Sequence, residues 1–211
     1  MFCSTECQTE ASKQFHYYEC GIMNLLLQSE DKHFSIRAFL KALFLFDGHL
    51  EELEDFLTKN DNNPTVFDFD MSLETTQKHK NLLLAANSLS KSHQTPSDDY
   101  KEIFRSSRLI DIYNSHENFI NNFLLNQTLI GNSSSHTIMG WSLKKNFRND
   151  IILPSQLCDQ IGSGIYTFHA LLNHSCAPNV TRTFFGDKMV LIVCRTILKD
   201  EQLFDSYRYE Y

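Results

Sequence analysis

The chain has 211 residues, of which 42% are hydrophobic and 17 are Phe, and its formal net charge is −7. This composition predicts a globular protein of one large or two small domains and excludes an intrinsically disordered chain. The acidic balance argues against direct nucleic-acid binding. No apolar run approaches the length of a membrane-spanning helix and no signal peptide heads the chain, so we expect a cytoplasmic or nuclear protein without a membrane partner.

The first 20 residues carry four candidate metal ligands in two pairs. Three residues separate Cys3 from Cys7, and three separate His16 from Cys20. Residues three to four apart on a helical turn face the same way, so each pair can present two ligands to one metal ion. In a reducing compartment six cysteines favour a metal over a disulfide framework, and thiolate with imidazole suits Zn²⁺. Two surface cysteines and an unrelated His-Cys pair are the alternative.

Apolar periodicity predicts helices over much of the stretch 21–150. Ile36, Phe39, Leu40, Leu43 and Phe44 form one helical stripe. Ser35 is placed to act as its N-cap. The same period predicts further helices over 50–57, 72–90, 99–114 and 117–130.

The segment from Gly164 to Tyr207 holds the densest set of polar motifs. An apolar run ends in Asn173-His174-Ser175-Cys176 and is stopped by Pro178, which predicts a ligand site at a buried element end. A polar loop with a satisfied core histidine is the alternative. Two runs rich in β-branched and aromatic residues, 179–185 and 189–194, flank Gly186-Asp187 and predict a hairpin.

These C-terminal motifs resemble the second half of a SET domain. The matching patterns are Asn-His-Ser-Cys-x-Pro-Asn at 173–179, a hairpin, Arg-x-Ile at 195–197 and Glu-x-Leu-x-x-Ser-Tyr at 201–207. SET domains transfer methyl groups from S-adenosyl-L-methionine to lysine. The resemblance therefore implies an α+β fold with a SET-type β core, that cofactor, and a protein lysine, histone or non-histone, as the substrate.

The resemblance also assigns roles to individual residues. Asn173 and His174 would hold polar groups of the cofactor, and Tyr207 would place its hydroxyl near the transferring methyl. Tyr209 and Tyr211 lie nearby but fit the motif less well.

Ser134 occupies a position where family members usually carry a cofactor-contacting Asn, within a stretch that ends at Ile138. A hydroxyl is shorter than an amide and offers fewer hydrogen-bonding groups. By the resemblance Ser134 would contact the cofactor, and we expect the contact to be weaker than an amide would make.

Residues 1–20 resemble the second half of a MYND zinc finger. In that family two zinc ions have interleaved ligands. By the resemblance Cys3 and Cys7 would share one zinc ion with an upstream pair of cysteines, and His16 and Cys20 would share the other with a second upstream pair. Both upstream pairs are missing from this sequence, which leaves each site half built. A single improvised tetrahedral site is the alternative. The resemblance makes Cys176 a ligand of a third zinc, together with a cysteine cluster beyond the SET core.

Together the two resemblances point to the SET-and-MYND lysine methyltransferases. We expect half a finger over 1–20, a helical insertion or linker region over 21–150 and half a SET domain over 151–211. The family's Gly-x-Gly segment lies upstream of the finger, so we expect this chain to lack a Gly-x-Gly segment and to be a fragment that is inactive on its own. We also expect a monomer. The rival function is a non-catalytic scaffold whose finger binds proline-containing peptides.

Overall fold

The structure is a computed structural model that describes residues 4–28, 30–60, 74–89, 99–141 and 158–207. The chain divides into two compact units, Met1–Ser133 and Ser134–Tyr211. We call the first the helical unit and the second the strand unit. Each is described separately below.

The helical unit begins with an unbroken helical run. Ser4 caps its first turn, since the Ser4 hydroxyl accepts a hydrogen bond from the Cys7 amide at 3.1 Å. The successive segments are α1 (Thr5–Ala11), a π-helical turn (Ser12–His16), α2 (Tyr17–Glu19), a 3₁₀ turn (Cys20–Ile22) and α3 (Met23–Leu26).

Two predicted helices are confirmed, with a correction at the first. They are α4 (Glu30–Phe44) and α5 (Leu50–Lys59). Ser35 does not cap α4, because it lies inside the helix, fully buried, with its hydroxyl 2.8 Å from that of Thr128. Phe44 does not join the buried stripe and is 39% exposed.

The remaining helices follow the predicted order with shifted ends. They are α6 (Thr75–Ser88), α7 (Asp99–Arg105), α8 (Ile110–Ser115) and α9 (Glu117–Ser134). The single helix predicted over 99–114 is wrong, because Ser107 interrupts it. The Ser107 hydroxyl donates to the Phe104 carbonyl at 2.9 Å and accepts from the Leu109 amide at 3.1 Å, which closes a side-chain turn.

The core of the helical unit is aromatic and aliphatic. The ring of Phe39 lies edge-on to those of Phe104 and Phe123, at centroid distances of 6.3 and 5.8 Å. Phe104 also stacks on Tyr113 at 4.5 Å. Edge-to-face and stacked rings add to the burial that already holds these helices together.

The helical unit also buries one carboxylate. Glu19 has no exposed surface, and Arg37 donates to both of its oxygens. Burial raises the pKa of Glu19, but nearby His33, with Nε2 3.5 Å from the carboxylate, and the hydrogen-bonded Arg37 outweigh it and hold the pKa below its ordinary value. A buried carboxylate is tolerated here because it is paired.

The strand unit contains three two-stranded pairings among the described residues. β1 (Ser135–Trp141) runs antiparallel to β2 (Cys158–Ile165), with an irregularity between Ile138 and Met139. β3 (Asn173–His174) runs parallel to β6 (Phe204–Asp205). The predicted hairpin is confirmed as β4 (Val180–Phe185) and β5 (Lys188–Val193), joined through Gly186 at φ 63°.

The structure thus contains both helices and strands, as an α+β class requires. No helix in the described part of the chain has the length and apolar content needed to cross a bilayer. The boundaries predicted at residues 20 and 150 stay predictions, since the second falls in 142–157, outside the described residues.

Candidate active site

The pairing of β3 with β6 brings together three residues singled out in the sequence. Asn173 lies opposite Phe204, and His174 lies opposite Asp205. The Ser175 amide extends the pairing by donating to the Asp205 carbonyl at 3.0 Å. Tyr207 lies two residues after the end of β6, which brings it beside His174.

His174 and Tyr207 are joined by a hydrogen bond that fixes the imidazole. The Tyr207 backbone N–H donates to His174 Nδ1 at 3.0 Å, and the two rings lie 5.2 Å apart. Because an amide can only donate, Nδ1 is unprotonated and the ring proton sits on Nε2. His174 Nε2 then faces the sulfur of Cys176 at 3.4 Å. With Nδ1 occupied, His174 is arranged to bind and orient rather than to remove a proton.

The Tyr207 hydroxyl is held as a donor. It donates to the Leu172 carbonyl at 2.6 Å, while 60% of the residue is exposed. A hydroxyl whose proton is committed to a carbonyl presents its oxygen lone pairs to other groups. The side chain can therefore accept from an amine or from polarised C–H groups.

Asn173 is exposed, which corrects the expectation that the Asn-His motif lies at a buried element end. No described residue hydrogen-bonds to its amide side chain, so both a donor and an acceptor face outward from β3. His174 is half-buried beside it. This donor set fits the carboxylate, ammonium and purine groups of S-adenosyl-L-methionine.

Asn179 fastens the loop before β6 to the start of β4. Its buried side chain donates to the Gln202 carbonyl at 2.9 Å and accepts from the Phe204 amide at 2.8 Å. It also donates to Glu201 at 3.3 Å. The hydrogen bond from Arg195 is the main cause that lowers the pKa of Glu201 to about 2. The acidic turn before β6 is thus tied at several points.

A buried charged cluster lies behind the strand pair, and the sequence analysis missed it. Asp205 Oδ2 accepts from His169 Nε2 at 2.7 Å and from Arg182 Nη1. Burial raises the pKa of Asp205, but the hydrogen bond from His169 and the charge of Arg182 bring it below its ordinary value. A histidine inside the apolar run 165–172 and an aspartate inside a short strand are the signals that could have found it.

His136 packs against this cluster from β1. Its ring lies edge-on to that of His169 at 4.4 Å. Burial, with the nearby positive charges of His169 and Arg182, lowers the pKa of His136 to about 4, although Asp205 acts in the other direction. His136 is therefore neutral near pH 7. Ser134, at the end of α9, precedes it by two residues, and its predicted cofactor contact stays a prediction.

The predicted metal ligands are not assembled. Cys7 lies in α1, His16 ends the π-helical turn and Cys20 begins the next 3₁₀ turn. Cys3 lies outside the described residues, and Cys176 is exposed in the strand unit. Across the described ranges, no group of three or more His, Cys, Asp or Glu side chains could hold a metal ion. The structure gives no support to a zinc site built from these residues alone.

A Gly-x-Gly sequence does occur in the chain, at Gly162 and Gly164 on β2. This corrects the expectation that the chain lacks that pattern. A side chain at Gly164 would stand 3.1 Å from the Tyr166 ring, whereas one at Gly162 would meet nothing within 4 Å. Close packing therefore explains the glycine at 164, and nothing in the structure explains the one at 162.

Comparison with protein families decides the membership of the chain. The model of the SET domain matches residues 5–208, nearly the whole chain. The chain belongs to the SET-domain family. SET domains are typically methyltransferases that use S-adenosyl-L-methionine and act on proteins, so transferase chemistry with a protein substrate is the expected activity class. No curated protein and no solved structure matches this SET domain.

Proposed function

We propose that this SET domain transfers a methyl group from S-adenosyl-L-methionine to the side-chain amine of a protein lysine. One observation carries the proposal: the Tyr207 amide bonds His174, which places Asn173, His174 and the Tyr207 hydroxyl at one exposed strand pair. These are the residues whose motifs resemble the family's cofactor and catalytic positions.

Methyl transfer depends more on the alignment of the reacting groups than on acid–base catalysis. Displacement at a methyl needs a neutral amine in line with the methyl and little water around it. The bound cofactor supplies that methyl as part of a sulfonium. Asn173 and His174 would hold its polar groups, and the Tyr207 oxygen would orient the amine as an acceptor. The Leu172 carbonyl keeps that oxygen in place.

Labelled methyl transfer to a lysine-rich protein mixture tests the reaction, and turnover by this chain would contradict the expectation that it is inactive on its own. We expect Tyr207→Phe to lower kcat strongly, with cofactor affinity little changed, because only the hydroxyl is lost. Tyr166→Phe is the matched control, since the Tyr166 hydroxyl donates to the Asp187 carbonyl at 2.7 Å and lies outside the strand pair. Equal losses in both variants would remove Tyr207 from the catalytic role.

Titration calorimetry tests the cofactor site independently of turnover. Asn173→Ala and His174→Ala should each weaken binding of S-adenosyl-L-methionine by about 1–3 kcal/mol, the cost of leaving a bound polar group unpaired. Unchanged affinity in both would show that the cofactor binds elsewhere. The same titration on Ser134→Ala asks whether that hydroxyl contributes at all.

We further propose that the chain is related to the SET-and-MYND group and that its cysteines bind zinc when their partners are supplied. Only sequence motifs support this step. Cys3, Cys7, His16 and Cys20 would serve the finger, and Cys176 a separate ion. Elemental analysis of purified protein tests it: two tightly held zinc ions in this chain alone would contradict half-built sites, and one zinc ion would support a single four-ligand site. A monomer in the cytoplasm or nucleus is proposed on composition alone.

A second candidate function is the binding of a protein partner without catalysis. A groove of about 720 Å³ on the helical unit is lined by Tyr17, Tyr18, Lys13 and Arg108 among others. Arg108 lies over the Tyr17 ring at 4.1 Å. Grooves lined by aromatic side chains bind extended proline-containing peptides. Fluorescence anisotropy with such a peptide should show binding that Tyr17→Ala weakens, and no binding would reject this function.

A further inference from the structure

We propose that His169, Arg182 and Asp205 form a positioning network, which fixes the register of β6 against β3 and so sets Tyr207 against His174. None of the three belongs to the motifs that identified the site. Their part in catalysis rests on the proposed methyl transfer, whereas their effect on Tyr207 does not.

The network holds three consecutive residues to three different elements. The Asp205 side chain accepts hydrogen bonds from His169 and Arg182, and the Asp205 carbonyl accepts one from the Ser175 amide. Arg182 Nη1 also donates to the Ser206 carbonyl at 2.8 Å. Tyr207 then donates to His174. Asp205, Ser206 and Tyr207 are therefore each hydrogen-bonded to a neighbouring element. Arg182 on β4 supplies two of these bonds, to the Asp205 side chain and to the Ser206 carbonyl.

Backbone pairing alone cannot supply this precision. β3 and β6 are paired at only two positions, Asn173 with Phe204 and His174 with Asp205. A slip of one residue would turn each side chain of β6 to the other face. Such a slip would move the Asp205 carboxylate out of the buried site and carry the Tyr207 amide away from His174 Nδ1. Specific side-chain bonds to Asp205 exclude that alternative.

A stabilising role explains these three residues less well than a role in fixing the strand register. Asp205 is 2% exposed and His169 is 5% exposed, while the Arg182 side chain is 13% exposed. Apolar residues of similar volume often replace buried ion pairs with no loss of stability, whereas buried polar groups can fix register. Moreover, His169 Nδ1 is buried without a partner among the described residues. An arrangement that leaves a buried nitrogen unpaired fits a demand for geometry better than one for stability.

The test compares His169→Leu, which loses the bond to Asp205, with His169→Gln, whose amide can still donate to it. Amide hydrogen exchange at Tyr207, read against the amides of β4 and β5, reports the register. We expect exchange at Tyr207 to be about tenfold faster in His169→Leu and close to the original in His169→Gln. Lys188→Gln, which removes an exposed charge from β5, is the control and should leave exchange at Tyr207 unchanged.

Kinetics then separate positioning from general support. We expect His169→Leu to lower kcat by about tenfold or more, as misplacement of a reacting group does, with a smaller rise in KM for the cofactor because His174 loses the bond from the Tyr207 amide. His169→Gln should recover most of the rate. If His169→Leu exchanges and turns over like the original protein, the network does not position Tyr207 and the proposal is overturned.

Two further outcomes keep the test decisive. If His169→Leu does not fold, Arg182→Met takes its place, because it loses the bonds to Asp205 and to the Ser206 carbonyl, and unchanged exchange at Tyr207 in that variant would overturn the proposal. If no methyl transfer is detected in any variant while exchange follows the expected order, the proposed reaction fails and the positioning network is supported. The two ideas therefore fail separately.

Discussion

The helical unit and the strand unit differ in the kind of contact that stabilises each of them internally. The buried side chains of the helical unit are mainly apolar, such as Phe39, Leu53 and Leu124, each with no exposed surface. Among the described residues of the strand unit, Val180 is the buried apolar one, whereas the buried polar ones are Thr167, His169, Asn179 and Asp205. Apolar packing tolerates small shifts, but directional hydrogen bonds do not. The unit that carries the candidate site is thus the one built from position-sensitive contacts.

The largest expected effect is loss of an aromatic side chain from the helical core. Phe39→Ala should lower the free energy of unfolding by about 3–5 kcal/mol, because it leaves a cavity beside Phe104 and Phe123. Phe44→Ala, on the same helix but 39% exposed, is the matched control. Urea unfolding followed by circular dichroism measures both. Similar losses in the two variants would contradict the view that buried apolar packing holds the helical unit together.

The next effect tests a polar contact inside the apolar unit. Glu19→Gln should destabilise the protein by about 2 kcal/mol, since Arg37 loses its buried partner but can still reach solvent. Asp55→Asn breaks the exposed pair with Lys59 and should cost at most about 0.5 kcal/mol. A larger loss from the exposed pair would mean that burial does not set the strength of these interactions.

A comparable effect is expected from the loop that precedes β6. Asn179→Ala strands the Phe204 amide and the Gln202 carbonyl, which should lower the stability of the strand unit by about 2 kcal/mol. Gln202→Ala removes an exposed side chain and leaves its carbonyl, so it should be neutral. Amide hydrogen exchange across β4 and β5 follows unfolding of this unit. A stable Asn179→Ala would show that apolar contacts dominate here too.

The smallest effect is a pH dependence carried by His136. Its pKa is about 4 in the folded protein and near 6.5 when unfolded, so below pH 6.5 the unfolded chain binds more protons. The free energy of unfolding should therefore fall as the pH drops from about 7 to 5, by roughly 1 kcal/mol from this residue after allowance for solvent. His136→Phe should flatten that part of the profile. An unchanged slope would place the effect on another histidine.

Sequence reasoning found the helices because their cause is local. The stripe from Ile36 to Leu43 and the hairpin around Gly186 follow from residue spacing and turn chemistry. It failed at Ser35 and Ser107, since a serine can cap a helix, pack inside one or end one, and only tertiary partners decide which.

The candidate site was also predicted only in part from the sequence. Motif resemblance selected Asn173, His174 and Tyr207, and the structure brings those three together. His169 and Asp205 were not predicted, because their hydrogen bond joins residues 36 apart in sequence and no local sequence pattern indicates it. The metal ligands show the reverse: the regular spacing of Cys7, His16 and Cys20 is clear in the sequence, yet these residues do not converge.

The parallel pairing of β3 with β6 also governs when the site can exist during synthesis. His174 and Tyr207 are 33 residues apart, with the whole β4–β5 hairpin between them. Chains fold from the N-terminus as they emerge, and contacts that close long loops form late. The helical unit can thus be complete while Asn173 and His174 still lack their partner strand. A nascent chain would therefore hold no complete candidate site until residue 207 has left the ribosome.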